Sequence, residues 1–162
     1  MKMILALVAT LLFSSQLLAA GQTSALDEQA PGYYRMKLGK LRVTAVSDGT
    51  VTVPLNKLLT NISPEKLRQA MAGEAMTPQA ETSINAYVID DGKKRILVDT
   101  GAGELFGSQG GHLLENLAAA GYPAESIDDV LLTHIHADHS GGVSRAGKPA
   151  FANADVYVDK RD

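Results

Sequence analysis

Residues 131–142 read LLTHIHADHSGG, which places His134, His136, Asp138 and His139 within six positions. The rest of the chain has one further histidine, His112. Imidazole and carboxylate groups hold zinc, manganese, iron or cobalt, and with no cysteine present any metal is held without thiolate. His134 and His136, two apart at the end of an extended run, point to the same side and can meet one ion. Asp138 and His139 follow as neighbours on a turn and can converge on a second point. Gly141-Gly142 then lets the backbone bend away without a Cβ clash. Polar groups directly behind an apolar strand are costly to bury unpaired. The spacing therefore predicts two metal positions a few ångströms apart. His112 stands alone after Gly110-Gly111 and is expected to be a surface or capping residue.

The elements around the motif follow from periodicity. From Leu38 the chain alternates, with Leu41, Val43 and Ala45 on one face and Arg42 and Thr44 on the other. This predicts a half-buried strand ending in a turn at Asp48-Gly49, with a second run over 50–54. A helix is predicted over 61–71, with Ser63 as N-cap, Pro64 in its first turn and Leu67, Ala70 and Met71 on one stripe. Residues 73–81 read as a breaker. Runs 84–89 and 95–98 flank Asp91-Gly92 and predict a hairpin with a tight turn. A helix over 112–120 carries Leu113, Leu117 and Ala120 on one face and stops at Gly121. A short buried strand at 130–132 leads into the motif, and 154–158 reads as one more strand. The order predicts an α/β (α+β) domain with chemistry at strand ends.

Composition narrows the function. The chain has 162 residues, enough for one domain, with formal net charge −3 and no basic cluster, which gives no case for nucleic acid. Residues 1–20 read as a secretory signal peptide: Lys2, an apolar run over 4–13, and Leu18-Ala19-Ala20 as a small-residue exit. Ser14-Ser15-Gln16 interrupts the run, so it is too short for a stable membrane anchor. An exported protein, periplasmic or secreted after cleavage, is expected. A flexible lead-in is expected over 21–37, with the folded part at 38–162.

The pattern His134-x-His136-x-Asp138-His139, with Leu-Leu-Thr before it and Ser-Gly-Gly after, resembles the signature of the metallo-β-lactamase-fold hydrolases. Asp99, closing "RILVDTG", resembles that superfamily's N-terminal marker, which orients ligands from beside the metal loop. "PGYYRMKLGKLRVTAVSDGTVTVPL", "ETSINAYVI", "LVDTGAGELFG" and "NLAAAGY" resemble the exported branch that contains methyl parathion hydrolase and related lactonases.

The resemblance implies a hydrolase of ester-like substrates (organophosphate triester, lactone or aryl ester) with two divalent ions, zinc first among them. His134 and His136 would hold one ion, and Asp138 and His139 the other. Asp138 would also act in catalysis by orienting the nucleophile and carrying a proton to the leaving group. Phe106 corresponds to an aromatic wall of the substrate pocket. The partner expected is a small-molecule substrate, and a full-length form is open to homodimerisation. An iron-containing oxidoreductase acting on sulfur substrates is the alternative within the superfamily, and a non-catalytic metal-binding remnant is a further one. The family fold is a four-layer αββα sandwich whose remaining ligands come from its C-terminal half. No histidine follows His139. The expectation is therefore the N-terminal half of that sandwich, with one sheet face exposed and with activity of this chain alone in question.

Overall fold

The structure, a computed structural model, describes residues 30–74 and 76–162. The expected signal peptide and residues 21–29 of the expected lead-in lie outside the described residues. Six strands form one sheet in the order β1-β2-β3-β4-β5-β8. The first four, β1 (Tyr33–Leu38), β2 (Leu41–Pro54), β3 (Gln79–Asp90) and β4 (Arg95–Val98), are antiparallel neighbours. The last two, β5 (Asp129–Leu131) and β8 (Asp155–Tyr157), join in parallel. Between β2 and β3 lie two helices, α1 (Leu55–Leu58) and α2 (Pro64–Gly73). In α2, Ser63 caps the Lys66 amide and Leu67 and Met71 are buried, as the sequence predicts, whereas Ala70 of the expected stripe is exposed. Helix α3 (Leu113–Ala119) covers one sheet face, and α4 (Ala137–Ser140) carries the end of the motif. A two-stranded ribbon, β6 (Ser144–Arg145) and β7 (Lys148–Pro149), follows.

The core lies between α3 and the sheet. Val46, Val88, Leu97 and Val130 meet Leu113 and Leu117 there, closed by Tyr122, Ile127 and Phe151. Register explains which residues face it. Thr44, Val88, Leu97 and Val130 are transverse neighbours on the covered face. One residue along, Tyr34, Ala45, Tyr87, Val98, Leu131 and Tyr157 form a row on the opposite face. Tyr34, Tyr87, Leu131 and Tyr157 of that row are exposed among the described residues. The described residues thus build one sheet and its helical cover, an α/β arrangement.

Five expectations are corrected. Residues 33–37 of the expected lead-in belong to β1. All six β1 residues are exposed although Tyr34, Met36 and Leu38 alternate with Arg35 and Lys37; Arg35 ties the strand to the core by donating to Thr44 Oγ1 and to the Ala120 carbonyl. The run through Asp48-Gly49 is one continuous strand, and the register shift between Ser47 and Gly49 makes Asp48 a bulge residue rather than a turn. On β2 the buried face is Thr44, Val46 and Asp48, not Val43 and Ala45, because α3 packs on that side. The β3–β4 connection is a four-residue loop rather than a two-residue turn: Asp91 Oδ1 accepts from the Lys93 and Lys94 amides, and Asp90 Oδ1 from Gly92. Strand β3 itself starts at Gln79, inside the expected breaker.

Asp90 is buried at the end of β3. Burial opposes its ionisation, but the Gly92 amide, the Tyr122 hydroxyl and the Arg42 and Arg95 guanidinium groups outweigh that and hold its pKa below the ordinary 3.8. A carboxyl depressed on folding adds stability that is complete above the unfolded value and lost as pH falls through the folded value. Thermal unfolding of wild type and Asp90→Asn should therefore show wild type ahead near neutrality, with the gap closing as pH falls below 3.8. A gap independent of pH would show that Asp90 is not ionised in the fold. In the core, Leu97→Ala should cost about 2–5 kcal/mol in denaturant unfolding, as expected for a fully buried leucine.

Candidate metal centre

Strands β4 and β5 run parallel and end side by side, and both their C-terminal ends feed the site. Asp99 directly follows β4, with its amide donating to the Leu131 carbonyl of β5. Its φ is +61°, a left-handed conformation that aspartate adopts more readily than most residues. That kink turns its carboxylate across the end of β5, where it accepts from three donors. These are the Thr133 amide at 2.8 Å, the Thr133 hydroxyl at 2.9 Å and His139 Nδ1 at 2.9 Å.

The oxygen partners at Nδ1 favour one tautomer for each of two rings. Thr133 Oγ1 gives its single proton to Asp99, so toward His134 Nδ1, 3.0 Å away, it accepts. His134 and His139 are then both protonated on Nδ1, and both keep the Nε2 lone pair for a ligand role. This is the outer support that metal-bound histidines need to hold ring orientation. Asp99 thus orients one histidine directly and a second through Thr133.

The free ligand atoms fall into two pairs. His134 Nε2 lies 3.1 Å from His136 Nδ1, and His139 Nε2 lies 3.3 Å from Asp138 Oδ2. Two donors about 2.0–2.1 Å from one tetrahedral zinc stand about 3.3–3.4 Å apart, so each pair is spaced to grip one ion. The His134 and His139 rings are 4.0 Å apart between centroids, which makes the two pairs neighbours. Among the described residues, no three His, Asp or Glu side chains converge on one point. The close pairs of candidate donors are thus His134 with His136 and Asp138 with His139.

Asp138 and His139 lie on the single turn of α4, with His136 as its N-cap. Local geometry departs from expectation in one respect. Gly141 and Gly142 serve close approach instead of bending. A Cβ on Gly141 would stand 2.2 Å from the Ala102 carbonyl oxygen, and one on Gly142 would stand 2.0 Å from that of Thr100. The motif can therefore pack directly onto the segment after Asp99. There Thr100 donates to the His139 carbonyl through both its amide, at 2.7 Å, and its hydroxyl, at 2.9 Å.

An open cavity of about 440 Å³ adjoins the motif, lined by Thr133, His134, Asp159, Arg161 and Asp162. Phe106 is half-buried in the 3-10 segment Gly103–Gln109 and is not in its wall. His112 is exposed at the N-cap of α3, makes no side-chain cap bond and lies outside both ligand pairs. Two participants escape a reading of the sequence alone. Thr133 is an ordinary strand-end threonine until Asp99 is folded beside it. Asp48 resembles a turn residue, although its position two beyond Val46 on a covered face was a usable signal.

The chain is similar to known proteins in sequence and fold. Residues 80–154 match the family model described as Metallo-beta-lactamase superfamily. The crystal structure of hydrolase AbOPH, in the beta lactamase superfamily, superposes with a TM-score of 0.74 at 39% identity over 82% of this chain. AidC, a dizinc quorum-quenching lactonase solved with a product, superposes with a TM-score of 0.76 at 30% identity over 80% of this chain. The atrochrysone carboxyl ACP thioesterase of Claviceps purpurea is 33% identical over 116 residues, 69% of this chain. This chain spans 46% of AbOPH, 45% of AidC and 35% of the thioesterase. It carries a metallo-β-lactamase superfamily domain, and among its relatives are hydrolases.

Replacing Thr133 by valine keeps the shape but removes the hydroxyl that links Asp99 to His134. Zinc affinity, measured by competition with a chromophoric chelator, should fall about 10–100-fold, the range usual for outer-sphere partners of metal ligands. Unchanged affinity would show that His134 is oriented by something else.

Proposed function

We propose that this chain provides the metal-binding part of a hydrolase that cleaves ester-like substrates, an organophosphate triester, a lactone or an aryl ester, with two divalent ions, zinc first among them. The observation that carries the reading is the pair of donor sets at tetrahedral spacing, His134 with His136 and Asp138 with His139. The relatives support it, since a lactonase and a thioesterase both cleave acyl bonds and AidC is described as dizinc. Two ions held there would bring bound water to a pKa of about 7 and polarise a carbonyl or phosphoryl oxygen.

The chain's own residues have separable tasks. Asp99 and Thr133 hold the two imidazoles with Nε2 outward. His136 meets the same point as His134 from the N-cap of α4, through Nδ1. Asp138 shows one carboxylate oxygen to His139 Nε2, which leaves the other free to orient a water and pass its proton to the leaving group. Asp138 is partly exposed, which leaves its carboxylate within reach of solvent. The cavity beside His134 is the entry we assign; Phe106 lies outside its lining, and its assignment to a wall of the substrate pocket rests on the family resemblance alone. The expected signal peptide makes this an exported protein in our reading.

Substitution separates these tasks. His136→Ala should remove one ion of two by metal analysis and nearly abolish turnover of lactones and organophosphates. Phe106→Ala should keep both ions and change the ratio of kcat/KM between the two substrate classes. Full metal content and full activity in His136→Ala would overturn the site, and one iron per chain with oxygen uptake would move the protein to the oxidoreductase alternative.

A further inference from the structure

Asp48 has no part in the chemistry above, yet it is fully buried. Among the described residues no Lys or Arg pairs with it. A buried carboxylate without a cation is costly unless hydrogen bonds replace the water it has lost. Here three backbone amides do so. Oδ2 accepts from Ala102 at 2.8 Å, and Oδ1 from Gly111 at 3.1 Å and Leu113 at 3.0 Å. The Asp48 carbonyl also accepts from the His112 amide. One side chain therefore fastens both ends of the 102–113 segment. The bulge that removes Asp48 from the β2–β3 register is the backbone device that aims it inward. Gly101 passes so close that an added Cβ would stand 2.4 Å from Asp48 Cγ.

What Asp48 fastens leads to the ligands. Ala102 is three residues from Asp99, and Thr100 between them holds the His139 carbonyl through two hydrogen bonds. Gly142 donates to the Gly101 carbonyl at 3.2 Å, and Gly141 packs on the Ala102 carbonyl. We propose that Asp48 is a positioning residue for the metal centre: by anchoring Ala102, Gly111 and Leu113 it fixes the Asp99–Ala102 backbone on which His139 is seated. The proposal rests on the two-ion reading of the motif.

The test uses cobalt(II) as probe, by titration and visible absorption of the whole chain. Asp48→Asn keeps the shape but turns an amide hydrogen toward one of the three backbone donors. It should weaken cobalt binding at the Asp138–His139 pair by about tenfold, the lower end for outer-sphere changes, and alter the absorption bands. In turnover, kcat should fall with KM unchanged. Val46→Ala, in the same strand and buried, is the control for a merely structural role: it should lower stability and leave the cobalt spectrum as in wild type. Wild-type affinity and spectrum in Asp48→Asn would overturn the proposal. Should Asp48→Asn fail to fold, hydrogen exchange of the wild type decides. Zinc should raise protection of the Ala102, Gly111 and Leu113 amides at least tenfold, because coupling between sites is reciprocal, and no change would overturn the proposal. His139→Ala separates the two levels. If it binds cobalt like wild type, the metal-centre reading fails; if it loses an ion while Asp48→Asn keeps both, only the role of Asp48 fails.

Discussion

The arrangement depends on one carboxylate. Asp99 sits where β4 ends beside β5, in a left-handed conformation that places its oxygens across the neighbouring strand end. It takes three hydrogen bonds there, and through them decides which nitrogen of His139 and of His134 is left bare. Neither histidine could present Nε2 reliably without that support, since a free imidazole exchanges tautomers and rotates. The strain at Asp99, of order 1–3 kcal/mol for a non-glycine residue in this conformation, is maintained because the surrounding bonds fix it from several directions.

The same device recurs through the fold. Among the described residues four aspartates are buried: Asp48, Asp90, Asp99 and Asp129. Each lies at a strand end or bulge, and each is satisfied by a backbone amide, a hydroxyl or a cation. Asp129 takes the Lys94 ammonium at 2.5 Å, while Asp90 takes Arg42 and the Tyr122 hydroxyl. A chain without cysteine has no disulfides to fix its loops, so long-range polar contacts do it. Such contacts are directional, which suits a centre that must hold ligand atoms within a few tenths of an ångström. The apolar core under α3 supplies burial, and the aspartates supply the aim.

Much of this was legible in the residues. The proposed ligand set and its partition into two pairs come from spacing and from the family resemblance, and the role assigned to Asp99 from the resemblance, because ligand chemistry is local to the motif. The α2 cap at Ser63 and the α3 face are equally local. What escaped depends on contacts distant in sequence. Strand β1 alternates Tyr34, Met36 and Leu38 with Arg35 and Lys37 but buries neither face, and its anchors are the Arg35 guanidinium and a register with β2. The bulge at Asp48 looks like a turn because Asp-Gly serves both, and only the partner strand tells them apart. Thr133 acquires its role from a residue 34 positions away. Gly141-Gly142 was rightly singled out, but the reason is contact with Thr100 and Ala102, which no local pattern shows.

The tautomers of His134 and His139 test the central claim most directly. Nitrogen-15 NMR of the imidazole rings, on the metal-free chain near neutral pH, reads them out. Both rings should show a protonated Nδ1 and a bare Nε2, and Asp99→Ala should convert both to a mixture. Rings protonated on Nε2 in the wild type, or unchanged in Asp99→Ala, would contradict the account.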